Sequence, residues 1–185
     1  ARQVADVIIR QGLIDLQANG GVLFLLNEQR TAFRTLHMVG YPQAIVNAWH
    51  EFPADAPLPI ADAVRERKLL ILETLEERNS RYPHMAHIKA LGGEGAFVAL
   101  PVLLRDQPVG GLGFHFPHDR TFGEDERTFL LTVAELCAQA LERVRIYEEL
   151  QHTNRAFRTL IETMPVGVVV TDTGGAVTFT NPVAN

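Results

Sequence analysis

The sequence predicts an α+β fold: an antiparallel sheet with helices on both faces, one long C-terminal helix, and a hairpin after it. Three observations carry this. Two pairs of short apolar runs, 22–26 with 33–39 and 95–104 with 109–116, are joined by polar turn-forming residues, as hairpins are. Between 40 and 59, Pro42, Pro53, Pro57 and Pro59 forbid a long helix. From Gly123 to Pro165 the chain carries helical periodicity.

In chain order, Ala5, Ile8, Ile9, Leu13 and Leu16 put one apolar stripe on a helix over 3–17. Asn19-Gly20-Gly21 is expected to cap it. Val22–Leu26 and Phe33–Val39 read as an antiparallel pair joined by polar Asn27–Thr31. In the proline-interrupted stretch, 43–50 forms a short helix ending near Trp49, and 60–66 a second with proline at its entry. Leu69–Leu72 is a brief strand, and 74–90 is polar, partly helical and broken at Pro83. The run 95–104 has no polar face, so both its sides are covered. Its partner, 109–116, places Leu112, Phe114 and Phe116 on one face and Gly111, Gly113 and His115 on the other. Glycines in a strand let another group approach the backbone closely.

The long helix opens on Glu124, Asp125 and Glu126, which suit the positive end of its dipole. Leu130, Val133, Cys137, Leu141 and Val144 form a stripe that suits packing on a sheet. Leu136, Ala140, Arg143, Tyr147, Leu150, Asn154, Phe157, Ile161 and Met164 follow 4-3 steps, the seam of a two-stranded coiled coil. The expected partner is a second copy, in a parallel homodimer through 136–164; the alternative is that the seam packs on its own domain. After Pro165, 166–171 and 176–180 read as two strands around the turn Asp172-Thr173-Gly174-Gly175.

Composition narrows the function classes. The 185 residues have a formal charge of -5, which disfavours a phosphate backbone as partner. No stretch approaches the length of a membrane span, so no membrane insertion and a cytoplasmic location are expected. Cys137 is the single cysteine, which excludes an intrachain disulfide and a cysteine-rich zinc site. The chain opens on Ala1-Arg2-Gln3-Val4 and is expected to be a piece of something longer.

In this order and spacing, Gly20-Gly21-Val22-Leu23-Phe24-Leu25-Leu26, Gly40-Tyr41-Pro42, Pro57–Val64, Ala99-Leu100-Pro101-Val102 and Pro108-Val109-Gly110-Gly111-Leu112-Gly113-Phe114, followed by Phe122 and Asp125-Glu126, resemble the GAF family. The tail from Leu160 to Asp172, with Asn181-Pro182, looks like the entry of a PAS domain, too short to close its sheet. The resemblance implies a GAF-like sensor domain over 1–147, a connecting signalling helix over 148–163, and the truncated start of a PAS domain over 164–185. It implies a small-molecule pocket under the proline-rich excursion, as in bacterial sensor proteins such as sensor histidine kinases. A downstream output domain in the same chain would receive the signal.

Within that frame the ligand-binding residues are expected to be Tyr41, Trp49, Leu58, Tyr82 and His115, roofed by residues 41–90. The plainer reading is that these side chains close a ligandless core. The cofactor is unknown. Heme would need an axial ligand, for which His115 is the best placed. Cyclic nucleotide is disfavoured: Phe122 and Asp125-Glu126 match that subgroup, but its upstream Asn-Lys pair is missing. Covalent bilin needs a thiol near the pocket, and Cys137 lies on the sheet-facing stripe of the long helix. His84 with His87, and His115 with His118, are spaced three apart but lack a converging third ligand, so no metal site is expected. The Gly92-Gly93-Glu94-Gly95 loop lacks the Lys-Ser/Thr of a phosphate-binding loop. No nucleophile motif or paired carboxylates stand out, so the region is expected to be a relay module with no catalytic residues, rather than an enzyme.

Overall fold

The computed structural model describes residues 2–83, 85 and 95–184. The chain divides into two compact units, Ala1–Glu142 and Arg143–Asn185.

In the first unit α1, Arg2–Leu16, buries Ala5, Ile9, Gly12 and Leu16, four positions in 4-3-4 spacing. Its exit differs from expectation. Gln17 takes the left-handed conformation (φ 56), and the Ala18 amide donates to the Leu13 carbonyl at 3.0 Å. Gly20 and Gly21 instead begin β1, Gly20–Leu26. The physical reason is proximity: a Cβ on Gly21 would stand 2.7 Å from Cγ2 of Ile9, so the glycine lets α1 sit close on the sheet.

β2, Ala32–Val39, pairs with β1 as the expected antiparallel hairpin. α2, Gln43–Ala48, follows Pro42, and β3, Glu51–Pro53, pairs with β2 at the sheet edge. The sequence gives no sign of β3, which is three residues long and ends on proline. α3, Pro59–Glu66, has Pro59 in its first turn and ends on left-handed Arg67 (φ 55). β4, Leu70–Leu72, is the other edge strand. α4, Leu75–Arg81, is capped by Thr74, whose hydroxyl accepts from the Glu77 amide at 3.0 Å. β5, Phe97–Leu104, and β6, Gln107–His115, form the central hairpin. All six strands are antiparallel, in the order β3-β2-β1-β6-β5-β4.

β5 is covered on both sides, as its unbroken apolar sequence requires. Val98, Leu100 and Val102 join one core cluster with α1 and with Leu130, Val133, Cys137 and Leu141 of α5, Glu124–Thr163. Phe97 and Ala99 join the opposite cluster, with Leu58, Ile60, Ala61 and Val64. Helices therefore cover both faces of the sheet.

In the second unit β7, Val169–Thr171, and β8, Val177–Thr180, form a two-stranded hairpin shorter than the predicted runs. Asp172 shapes the turn, its carboxylate accepting from the Gly174 and Ala176 amides at 2.8 and 2.9 Å. Asn181 is 0% exposed. Its amide nitrogen donates to the carbonyls of Ile161 and Val166, and its oxygen accepts from the amides of Val168 and Ala184. That one side chain fastens the last turn of α5 to the hairpin. Of the heptad seam, Leu136, Tyr147, Leu150, Phe157 and Met164 are exposed, while Ile161 is buried.

Candidate functional site

The site lies on the sheet face away from α1 and α5. Strand alternation puts Gly20, Val22 and Phe24 of β1 on this face, and Gly111, Gly113 and His115 of β6 beside them. The register pairs Gly20 with His115, Val22 with Gly113 and Phe24 with Gly111. Above Gly111 and Gly113 sits Ile60 of α3: its Cγ2 would meet a Cβ on Gly111 at 2.4 Å, and its Cδ1 one on Gly113 at 2.9 Å. The strand glycines thus admit the helix.

Beside α3 a cavity of about 50 Å³ remains, lined by Val22, Phe24, Met38, Tyr41, Trp49, Phe52, Leu58, Pro59, Ile60, Arg78, Met85, Phe97 and His115. Four of the five side chains expected at the pocket, Tyr41, Trp49, Leu58 and His115, meet here. Tyr82 is not among the lining residues. It is buried in the same cluster, and its hydroxyl donates to Asp62 at 2.7 Å, which occupies the polar tip that a ligand would use. The predicted roof extends to residue 90, and 86–90 lie outside the described residues.

His115 is the most unusual member. It is 2% exposed, and neither ring nitrogen has a hydrogen-bond partner among the described residues. Burial, helped by the charge of Arg78, lowers its pKa to about 4, so the ring is neutral near pH 7. It stands where a Gly20 side chain would be, since a Cβ there would come within 1.9 Å of Cε1. Tyr41 meets it edge-on, with ring centroids 4.7 Å apart. Burial holds the Tyr41 phenol well above its usual pKa, so it too is neutral.

The sequence reading missed Arg78, Phe52 and Met38. Arg78 is the single charged residue among the described residues that line the cavity. It sits one helical turn before Tyr82, on the side of α4 that faces the sheet, and that i to i+4 spacing was the available signal. Phe52 comes from β3 and sits between Phe24 and Trp49, at 4.9 and 5.6 Å.

The cofactor alternatives fit this geometry poorly. A tetrapyrrole is far larger than the cavity. Cys137 belongs to the cluster on the opposite face, and burial pushes its thiol up to about 12, so it is no nucleophile. Phe122 lies in that same opposite cluster, and Glu126 is engaged by the Gly123 amide and by Arg120. The Asp125-Glu126 pair therefore stands at a helix start, apart from the cavity. No group of three metal-ligating side chains occurs among the described residues; His84 and His87 fall outside them, as does Gly92-Gly93-Glu94. Among the described residues no helix is long and apolar enough to cross a membrane.

Comparison with known proteins agrees with this architecture. The GAF domain family model matches residues 1–142 and a PAS domain model matches residues 155–185. No curated protein matches the sequence. Among solved structures, the second GAF domain of DevS from Mycobacterium smegmatis superposes with a TM-score of 0.63 at 16% identity, covering 80% of this chain and 97% of that one. A domain of a putative two-component sensor histidine kinase from Sinorhizobium meliloti 1021 gives 0.61 at 15% identity, covering 80% and 95%. Residues 122 to 287 of a methyl-accepting chemotaxis protein give 0.62 at 18%, covering 80% and 93%. At these identities the likeness is one of fold. With the family match spanning most of its length, the chain belongs to the GAF domain family, and its residues 155–185 match a PAS domain model.

Proposed function

We propose that this chain is the regulatory region of a signalling protein, in which a small molecule held in the cavity changes the packing of the sensor unit. The change passes along α5, in a parallel homodimer through 136–164, to an output domain further along the same chain. The reading places the region in the cytoplasm and gives it no catalytic residues of its own.

The observation that carries it is His115. An unpartnered buried polar group costs stability, and such groups concentrate where structure serves function. Here the group borders an apolar cavity with few polar tips, the usual make-up of a small-molecule site. The exposed seam supports the relay, because a two-stranded seam has alternative packings that a pocket can bias. The similar solved structures from a sensor kinase and a chemotaxis protein suit the same reading.

Native mass spectrometry of the purified chain is the direct test: a small molecule should be retained, and Trp49 fluorescence should change when it is removed. A chain that retains nothing, with Trp49 fluorescence insensitive to any small-molecule panel, would leave the second reading, a ligandless dimerisation module. That reading draws on the same exposed residues, Leu136, Tyr147, Leu150 and Phe157.

A further inference from the structure

Apart from the His115 cavity, a second concavity of about 300 Å³ opens where the end of α3 meets the β1–β2 turn and the chain after β3. Its floor is apolar: Phe33, Ala61 and Val64 are buried there, with Leu26 and Pro108 half-buried beside them. Two hydrogen bonds draw its walls together. The Ala54 amide donates to the Thr31 carbonyl at 2.9 Å, and Arg30 Nη1 donates to Gln107 Oε1 at 2.8 Å.

The rim carries charge of both signs. Arg65 is paired with Asp62 and contributes little. Arg30 keeps its charge, because Gln107 is neutral and takes only one of its five donors. Arg67 and Asp55 line the same groove, and neither side chain makes a hydrogen bond or ion pair among the described residues, with each other or with anything else. Unpaired opposite charges therefore face one apolar floor, and an occupant carrying both signs would satisfy all three side chains. Each of the three is exposed and free to turn onto it.

The backbone gives an independent sign. Arg30 and Arg67 both take the left-handed conformation, with φ of 58 and 55, where glycine is favoured. The chain places glycine in such a conformation at Gly40 and Gly175, yet holds arginine at both positions on this groove. A side chain kept against the backbone's preference points to a use for that side chain.

We infer that this groove binds a free aliphatic α-amino acid, its carboxylate between Arg30 and Arg67, its ammonium at Asp55 and its side chain on the Phe33–Val64 floor. The volume is about twice the roughly 150 Å³ that accommodates benzene and matches the lower end of small-molecule sites. Guanidinium groups suit a carboxylate through parallel donors. A phosphate monoester would gain from the arginines but meet Asp55, and a peptide terminus carries only one of the two charges. The site shares no lining residue with the His115 cavity among the described residues, so its failure leaves the reading of that cavity untouched.

Calorimetric titration of the 185-residue chain with L-leucine, N-acetyl-L-leucine, L-leucinamide and glycine, at constant ionic strength, tests this. Leucine should bind saturably, with a dissociation constant on the order of micromolar to millimolar, the range open to so small a ligand. N-acetyl-leucine lacks the ammonium, leucinamide the carboxylate and glycine the apolar side chain; each should bind at least ~10-fold more weakly. Asp55→Asn should weaken leucine but not N-acetyl-leucine. Arg67→Gly should weaken leucine but not leucinamide, and should melt no lower than wild type, because glycine suits the left-handed backbone there. That pairing of lost binding with retained stability separates a binding role from a structural one. Absence of saturable leucine binding overturns the assignment. So does N-acetyl-leucine or leucinamide binding as tightly as leucine, or leucine binding unchanged in both Asp55→Asn and Arg67→Gly.

Discussion

The two faces of the central sheet are built to different standards. The face under α1 and α5 is closed and mainly aliphatic: Leu23, Val98, Leu100, Leu112 and Leu130 are fully buried, with Phe114, Phe116 and Phe122 packed among them and Cys137 as an inert small hydrophobe. The face under α2, α3 and α4 is rich in aromatics, interrupted by prolines, and keeps a cavity and a buried histidine with no hydrogen-bond partner among the described residues. Core packing normally leaves few voids, and each forfeits dispersion contacts. One sheet thus supplies stability on one side and tolerates a stability cost on the other, which is where a ligand can repay it.

Substitutions that treat the two faces alike should expose the difference. The largest effect is expected from Leu112→Ala on the closed face, where neighbours cannot collapse into the space: about 3–5 kcal/mol by urea denaturation. Leu58→Ala, beside the cavity, should cost less than Leu112→Ala; equal losses would show that the two faces are packed alike.

Gly20→Ala comes next. Its Cβ would overlap the His115 ring, so the ring or the strand must shift, at about 1–3 kcal/mol. The double variant Gly20→Ala with His115→Ala should recover part of that loss, a coupling that a purely backbone effect of glycine would not give.

His115→Leu should change stability by less than about 1 kcal/mol near pH 7, because it replaces a polar ring that has no hydrogen-bond partner among the described residues with an apolar group of similar size. Its signature is in the pH dependence. The folded-state pKa of about 4 lies below the free-histidine value of 6.5, so the unfolded chain binds the extra proton first. The wild type therefore loses stability as pH falls from about 6.5 towards 4, by up to about 1.4 kcal/mol per pH unit from this group. In His115→Leu that part of the slope should vanish in calorimetric scans; an unchanged slope would place the burden on other groups.

The smallest effect on stability should come from Leu150→Asp combined with Phe157→Asp, side chains that are 62% and 61% exposed. The first unit should melt within about 1 kcal/mol of wild type, while sedimentation should shift from dimer to monomer. A wild-type chain that sediments as a monomer at tens of micromolar, where weak association is still visible, removes the dimer and the relay built on it.

The elements were legible where periodicity was long and punctuated. α1, α5 and the two hairpins announce themselves through 3.6- or 2-residue spacing and the turns between them, and the glycine-bearing face of β6 marked the side of the sheet that carries the cavity. The meeting of Tyr41, Trp49, Leu58 and His115 followed from that alternation plus the proline-rich excursion. β3 was illegible because three residues hold no period, and its Phe52 went with it. Tyr82 was expected in the roof of the pocket; it is buried in the same cluster without lining the cavity, and its hydroxyl is satisfied by Asp62, a partner 20 residues away that no local pattern shows. Arg78 looked like one cation on a polar helix.

The amino-acid sequence by itself determined the order of the strands and helices apart from β3, the apolar faces of the longer ones, and the family to which the chain belongs, because these depend on local spacing and turn chemistry. Only the tertiary structure decided which polar groups are left over. The β1–β6 register sets His115 opposite Gly20, α3 fills the glycine gap above Gly111 and Gly113, and the fold of α4 brings Arg78 to the same cavity. Hydrogen-bond satisfaction is a sum over all neighbours in space, and that sum does not exist until the chain has closed.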